Sequence, residues 1–478
     1  MTAVHLGESS LIDWDEGVFA LQSQWLASFG NQGKPFNFQT PPLYQLLIAC
    51  AFRVFGFNTL ILHLLALIAS CLGVFIVFHL SKLLSTAQDA IIAVILFAST
   101  EFFLFFSKSG LSDAVFLCFF LASLLFFFRG LKLNKDSQFL YAGLFLVLAS
   151  YTKYSAFPLF ISYLIIGLLH KKSLKTKWFF YSLVLPVLLI LPYFLLLIKY
   201  VHLPELSTRH ISFLGVNHLK FLFYLLIFAP VPLLLALIRL FTDIKGLNKW
   251  NIFVLITTII FFLILGFYYP YFRLAYPIVP LLAIPGAQII KRLGKFRIPI
   301  FASLILMSLA FGFRTIKYTS VVPQETGMFV HRFAEKEEAT YIYAVVPPNI
   351  LYYINLEIVI PAGHPWERAR KMLPWLSSRE IIRPEDNKLP LAGKTLLVHA
   401  TALDLVKLGY LDIYERGILV SSFEFTDAPV YYKDIYNPQR DAKQCYEVYL
   451  INNEELGAQL EDLWLFGFDR RVTVMVRQ

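Results

Sequence analysis

The feature that most constrains this chain is a train of apolar runs, most of them about 17–25 residues long, extending from residue 58 to residue 314. A helix of that length crosses a hydrocarbon core about 30 Å thick. Inside lipid, only helices and closed barrels satisfy their own backbone. The runs lie at 58–80, 88–106, 113–129, 138–152, 155–170, 178–200, 219–241, 251–269, 274–291 and 298–314. They predict a polytopic α-helical membrane protein with about 10 transmembrane helices. Charged residues make up only 15% of the chain, against about 25% in an ordinary soluble domain.

Charge divides the chain. Residues 1–318 hold 25 Lys and Arg against 10 Asp and Glu, whereas residues 319–478 hold 17 against 22. A basic membrane part and a mildly acidic tail are different objects. We therefore expect three segments: 1–57, an acidic loop with interfacial helices; 58–318, the transmembrane domain; and 319–478, a soluble α/β domain. The positive charge falls in short clusters between apolar runs, which points to loop topology and away from nucleic acid. The clusters include Arg129, Lys132 and Lys135; Lys171, Lys172, Lys175 and Lys177; Lys245 and Lys249; and Lys291, Arg292, Lys295 and Arg297. The intervening loops are poor in Lys and Arg. The positive-inside rule makes the basic loops cytoplasmic and puts the others, with the N-terminal stretch and the tail, on the outer face of the cell membrane.

The tail has an α/β rhythm. Strands are expected at Tyr341–Val346, Glu357–Ile360, Thr395–His399 and Tyr446–Ile451, and short helices at Pro347–Ile354 and Ala402–Gly409. No Gly-rich phosphate loop follows any of these strands. Pro42–Phe55 is too short to span and is expected to lie along the bilayer surface. The four cysteines show no metal or disulfide spacing. The histidines show no ligand spacing and read as packing or interfacial residues.

Chemistry in such a chain has to come from its few charges on the outer side. Asp13, Asp15 and Glu16 crowd into four residues ahead of the amphipathic stretch Val18–Phe29. A carboxylate there can act as general base on an acceptor hydroxyl or amine, although a solvated loop would also carry acids. Asp113 follows Ser107-Lys108-Ser109-Gly110-Leu111-Ser112 at an outer helix mouth. It could cap the helix, orient an acceptor or hold a divalent cation. Lys108 could pair with it or touch a phosphate. Glu101 lies deeper and is costly there unless paired, protonated or facing a cavity. Lys153 and Arg273 stand at outer loops. Headgroup snorkelling would explain either alone, but together, with Tyr271 nearby, they suit an anionic phosphate.

These residues resemble the type C glycosyltransferase superfamily, and within it the dolichyl-phosphate-mannose protein mannosyltransferase and lipid A aminoarabinose transferase group. The resemblance rests on Asp15-Glu16, Pro41-Pro42-Leu43-Tyr44, Phe55-Gly56-Phe57-Asn58, Ser107-Lys108 with Asp113, Thr152-Lys153, and Arg273-Leu274-Ala275-Tyr276-Pro277-Ile278-Val279-Pro280. Each motif is short; their order, spacing and sidedness give them weight over residues 10–290. The resemblance implies a polyprenyl-phosphate-linked sugar donor, a glycan, lipid or protein acceptor, and an outer-facing site. By it Asp15 is the base, Glu16 its neighbour and Asp113 the second outer acid, while Lys153 and Arg273, with Lys108 and Tyr271, hold the donor phosphate.

Two departures stand out. Family members carry a helix ahead of the acidic loop, so an upstream helix is expected to be missing here, and Lys108 stands where Arg is common. No cofactor follows from the residues. A divalent cation is left open, with Asp15 and Asp113 as its candidate ligands. A flippase or transporter of lipid-linked glycans is the alternative from another class. A ligase or polymerase using lipid-pyrophosphate donors is the alternative within the enzymes.

Overall fold

A computed structural model describes residues 10–11, 14–32, 40–170, 176–200, 217–242, 249–267, 271–317, 322–337, 341–345, 352–353, 358–359, 394–400, 418–424 and 445–452. Asp13, the lysines at 171, 172, 175 and 245, the loop segments 202–216 and 268–270, the helix expected at 402–409 and most of that expected at 347–354 lie outside the described residues. The chain divides into two compact units. Among the described residues, one contains 40–44 and 62–317; the other contains 10–32, 45–61 and everything from 322 on.

Among its described residues the first unit is built of helices and turns. Its elements run α3 (Leu60–Leu84), α4 (Ala87–Ala98), α5 (Glu101–Phe106), α6 (Asp113–Leu133), α7 (Ser137–Thr152), α8 (Phe157–Leu169), α9 (Lys177–Tyr200), α10 (Asn217–Phe228), α11 (Pro230–Thr242), α12 (Lys249–Leu265), α13 (Ile278–Arg292) and α14 (Arg297–Lys317). Three described helices, α3, α6 and Lys177–Leu195 of α9, are each long and apolar enough to cross a membrane. The pair α10–α11 adds a fourth span if its two halves are counted together. The remaining apolar stretches, among them Arg297–Ala310 of α14, are shorter.

Two of the expected spans are broken helices. Run 88–106 divides at Ser99-Thr100 into α4 and α5. The Thr100 hydroxyl donates to the Phe97 carbonyl at 2.7 Å and accepts from the Phe103 amide at 3.3 Å. The Ser99 carbonyl accepts from the Ser308 hydroxyl of α14 at 2.8 Å. A break inside hydrocarbon survives only when the freed backbone groups find such partners. Run 219–241 divides at Ala229-Pro230, and the halves meet at 114°. Pro230 and Pro232 both lack the amide that a continuous helix would use there.

Helices pack closely where glycine lets them. A Cβ on Gly143 of α7 would come within 3.1 Å of the Ser182 Cα on α9, and one on Gly286 of α13 would come within 3.1 Å of the Leu235 Cβ on α11. Small residues at crossings are how helices approach one another in lipid. Polar pairs join others: Asn251 of α12 and Gln288 of α13 exchange amide hydrogen bonds at 2.9 and 3.2 Å.

The second unit brings the start of the chain together with its tail. It contains α1 (Trp14–Ala27), most of α2 (Leu43–Phe55), α15 (Val322–Lys336) and a five-stranded sheet. The strands are β1 (Tyr341–Val345), β2 (Ile358–Val359), β3 (Lys394–Ala400), β4 (Ile418–Glu424) and β5 (Cys445–Asn452), in the order β2-β1-β3-β5-β4. The β2–β1 and β1–β3 pairings are parallel; those of β3 with β5 and of β5 with β4 are antiparallel. Leu396 and Val448 are fully buried in the sheet. The Leu11 amide donates to the Tyr353 hydroxyl at 3.0 Å, and the Arg53 guanidinium lies 4.3 Å from the centre of the Phe29 ring.

Candidate active site

Asp113 is the first residue of α6 and is buried. Its N-cap, Ser112, makes no side-chain cap bond, so the carboxylate occupies the helix terminus, where the macrodipole favours negative charge. Its direct partner comes from forty residues downstream. Lys153, the residue that ends α7 in extended conformation, places Nζ 2.5 Å from Asp113 Oδ1. The second oxygen, Oδ2, is buried without a hydrogen-bond partner. Lys153 keeps 16% of its side chain exposed against 3% for Asp113, so the pair has one sealed end and one end that reaches outward.

Tyr276 joins this pair. Its ring is buried against Phe106, with centroids 4.7 Å apart, and also stacks near Phe102 and Phe97. Its hydroxyl is buried without a hydrogen-bond partner and lies within range of the Asp113 charge. Two orphaned polar atoms on an acid and a phenol need an explanation in a folded protein. The same aromatic cluster holds the segment ahead of α13: Phe272 stacks near Phe106 and Phe102, at 6.0 and 6.2 Å. Arg273 follows Phe272 in a 3-10 turn and lies half-buried, with its guanidinium 5.5 Å from the Tyr271 ring centre. Tyr271 is exposed.

Asp15 and Glu16 open α1 in the second unit. Glu16 is buried and Asp15 half-buried. Burial raises the Tyr353 phenol of that unit to about 12 despite hydrogen bonds from the Leu11 backbone, Thr59 and Ser10; the Glu16 charge pushes in the same direction as burial. The acidic start is thus anchored to a tail residue more than 300 positions away.

Glu101 is buried in the first turn of α5, directly after its N-cap Thr100. Lys108 is half-buried in the turn after α5. The cation on Asp113 Oδ1 is the Lys153 ammonium. Among the described residues no group of three His, Cys, Asp or Glu side chains could hold a metal ion. Tyr276 stands within the Arg273–Pro280 motif, but the sequence alone assigns it no role. Its phenol stands at the start of an apolar run close after Tyr271, and nothing in the linear order brings it within range of the Asp113 charge.

The comparison with solved structures decides the fold. ArnT from Cupriavidus metallidurans, solved with undecaprenyl phosphate bound, superimposes with a TM-score of 0.68 over 94% of this chain and 95% of its own, at 12% identity. This is a type C glycosyltransferase fold. The archaeal oligosaccharyltransferase AglB from Archaeoglobus fulgidus, solved with an inhibitory peptide and a dolichol-phosphate, shares it with a TM-score of 0.53 and 12% identity, over 86% of this chain and 70% of its own. Residues 39–195 match the family model of dolichyl-phosphate-mannose-protein mannosyltransferase. That stretch runs from the Pro41-Pro42 turn through Asp113 and Lys153 to α9. No curated protein matches the sequence. The type C fold and its apolar helices make the chain a multi-pass membrane protein.

Proposed function

We propose that this chain is an inverting membrane glycosyltransferase. It takes a sugar from a polyprenyl-phosphate donor and transfers it to a hydroxyl or amine of a glycan, lipid or protein on the outer face of the cell membrane. The observation that carries the reading is the pair of the buried Asp113 with the half-buried Lys153, its second carboxylate oxygen unpartnered and its charge within range of Tyr276, in a fold that in ArnT holds undecaprenyl phosphate.

The chemistry is a single displacement. Asp15, at the first turn of α1, takes the proton of the acceptor as general base. The acceptor oxygen or nitrogen bonds to the anomeric carbon as the bond from that carbon to the phosphate oxygen breaks, and polyprenyl phosphate leaves. Arg273 receives the developing phosphate charge with its planar fork, and its stacking near Tyr271 limits where that fork can point. Lys153 assists. Its bond to Asp113 fixes where the ammonium stands. Lys108 adds positive charge from the neighbouring turn, and the buried Glu16 holds the start of α1. The charge stabilisation gains strength as water is excluded. The sheet-bearing tail serves on the outer face with the acidic start.

The test is transfer by the purified protein in vesicles, offered hexoses linked to polyprenyl phosphate and, separately, to polyprenyl pyrophosphate. Product from the monophosphate donor, lost in Asp15→Asn, is the expected result. Lipid flipping without product would instead make the chain a transporter, and product from the pyrophosphate donor alone would make it a ligase or polymerase.

A further inference from the structure

Six residues, Ser107–Ser112, connect α5 to α6 and deliver Asp113. Their amides turn back on α5: Ser107, Lys108 and Ser109 donate to the carbonyls of Phe103 and Phe105 at 2.9–3.2 Å. The Ser107 and Ser109 hydroxyls do the same, toward Leu104 and Phe105. Two carbonyls of the turn instead bond to distant side chains. The Tyr44 hydroxyl donates to the Gly110 carbonyl at 2.7 Å, and His63 Nδ1 lies 2.7 Å from the Lys108 carbonyl. Both side chains are buried, Tyr44 completely. They reach the turn from 66 and 45 residues away and from different helices.

A carbonyl only accepts, so His63 must carry its proton on Nδ1. Its Nε2 is buried without a hydrogen-bond partner. A histidine held in one tautomer, with its other nitrogen idle, has its donor fixed in direction. The phenol of Tyr44 donates to the Gly110 carbonyl and is likewise fully buried. Removing the donor from a buried or half-buried carbonyl is unfavourable, so both bonds help to hold the turn.

We propose that Tyr44 and His63 are positioning residues: they clamp the 107–112 turn at two alternate carbonyls and so set the depth and angle at which Asp113 meets Lys153. The importance of this clamp for turnover rests on the glycosyl-transfer reading; the clamp itself does not. Tyr44 closes the Pro41-Pro42-Leu43-Tyr44 motif and lies at the first turn of α2. The rigid proline pair therefore has a mechanical role, because it fixes the point from which the phenol reaches Gly110.

The test compares Tyr44→Phe, His63→Leu, His63→Asn and His63→Gln in the purified full chain. Asn carries its amide nitrogen where Nδ1 sits, and Gln carries it where Nε2 sits. Tyr44→Phe and His63→Leu should each lower kcat about tenfold, equivalent to about 1.4 kcal/mol in the barrier, with the donor KM changed less than about twofold. His63→Asn should recover to within about threefold of the wild type, and His63→Gln should not. Hydrogen exchange should rise at 107–113 in the first two variants and stay unchanged in the other helices. A Tyr44→Phe enzyme with wild-type kcat, His63→Asn no better than His63→Leu, or unchanged exchange at 107–113 would overturn the proposal. Should the wild type transfer nothing, the functional reading falls and exchange alone decides the clamp.

Discussion

Lys153 Nζ stands 2.5 Å from Asp113 Oδ1, although forty residues of chain separate the two. One end of the pair is the N-terminus of α6 and the other is the C-cap of α7. α6 and α7 form a hairpin through Asn134, which takes a left-handed conformation. The ion pair therefore fastens the open ends of that hairpin. Breaking a buried pair by removing one partner costs about 3–5 kcal/mol, because the other charge is left uncompensated.

Lys153→Ala should accordingly lower thermal stability sharply and abolish transfer. The double variant Asp113→Asn with Lys153→Gln should regain most of the stability, since no lone charge remains, but none of the transfer. Thermal denaturation alongside a transfer assay separates the structural role from the chemical one. Full recovery of both in the double variant would exclude a chemical role for the pair.

Arg273→Lys keeps the charge but loses the two-pronged fork and the stacking near Tyr271. We expect kcat/KM for the lipid donor to fall about tenfold or more, with Arg273→Ala worse still. Steady-state kinetics on a polyprenyl-phosphate hexose would read both, and equal rates for Lys and Arg would argue against a phosphate contact.

Asp15→Asn and Glu16→Gln should separate. Asp15 is half-buried and proposed as the base, so its loss should remove turnover and leave the melting temperature in place. Glu16 is buried, so altering it should lower the stability of the acidic start first. Paired melting and turnover measurements on the two variants check this, and an active Asp15→Asn enzyme would end the assignment.

Gly143→Ala tests helix approach. The added methyl would meet the Ser182 backbone at 3.1 Å, and backbone cannot rotate away. Overpacking of this kind costs about 1–3 kcal/mol, more than the roughly 1 kcal/mol that alanine gains in helix propensity. The net expectation is a lower melting temperature in detergent, and a stabilised variant would show that α7 and α9 can separate freely.

Tyr353 gives a pH dependence. Burial holds its phenol at about 12 in the folded protein, whereas an unfolded tyrosine ionises near 10. Its contribution is therefore fully present below pH 10 and is lost as pH rises through about 12. Tyr353→Phe should flatten the loss of stability across that window, as read by alkaline denaturation. An unchanged profile would show that the phenol ionises alike in both states.

How much of this was legible beforehand can be followed residue by residue. Run 113–129 is α6 with four more residues, and run 138–152 is α7 with one, because long apolar stretches have no competing conformation in lipid. Strands β3 and β5 contain the expected Thr395–His399 and Tyr446–Ile451 and extend each by one residue at either end. The break at Ser99-Thr100 was missed because hydropathy does not register which carbonyls will find donors; here the donor is Ser308, about two hundred residues on. The bend at Pro230 was readable in principle, from two prolines in three residues, but apolarity across the run masked it.

Sequence by itself determined that this chain lives in a membrane, which residues are its rare charges, and roughly where helices and strands lie. These follow from local chemistry: hydrocarbon length, charge spacing and alternation all act over a few residues. Only the tertiary structure decided that Asp113 takes Lys153 as its partner, that the buried Tyr276 lies within range of the Asp113 charge, and that Tyr44 and His63 bond to carbonyls of the turn between α5 and α6. Those contacts depend on how helices cross, and a crossing is fixed by the summed packing of many side chains, which no short stretch of sequence encodes.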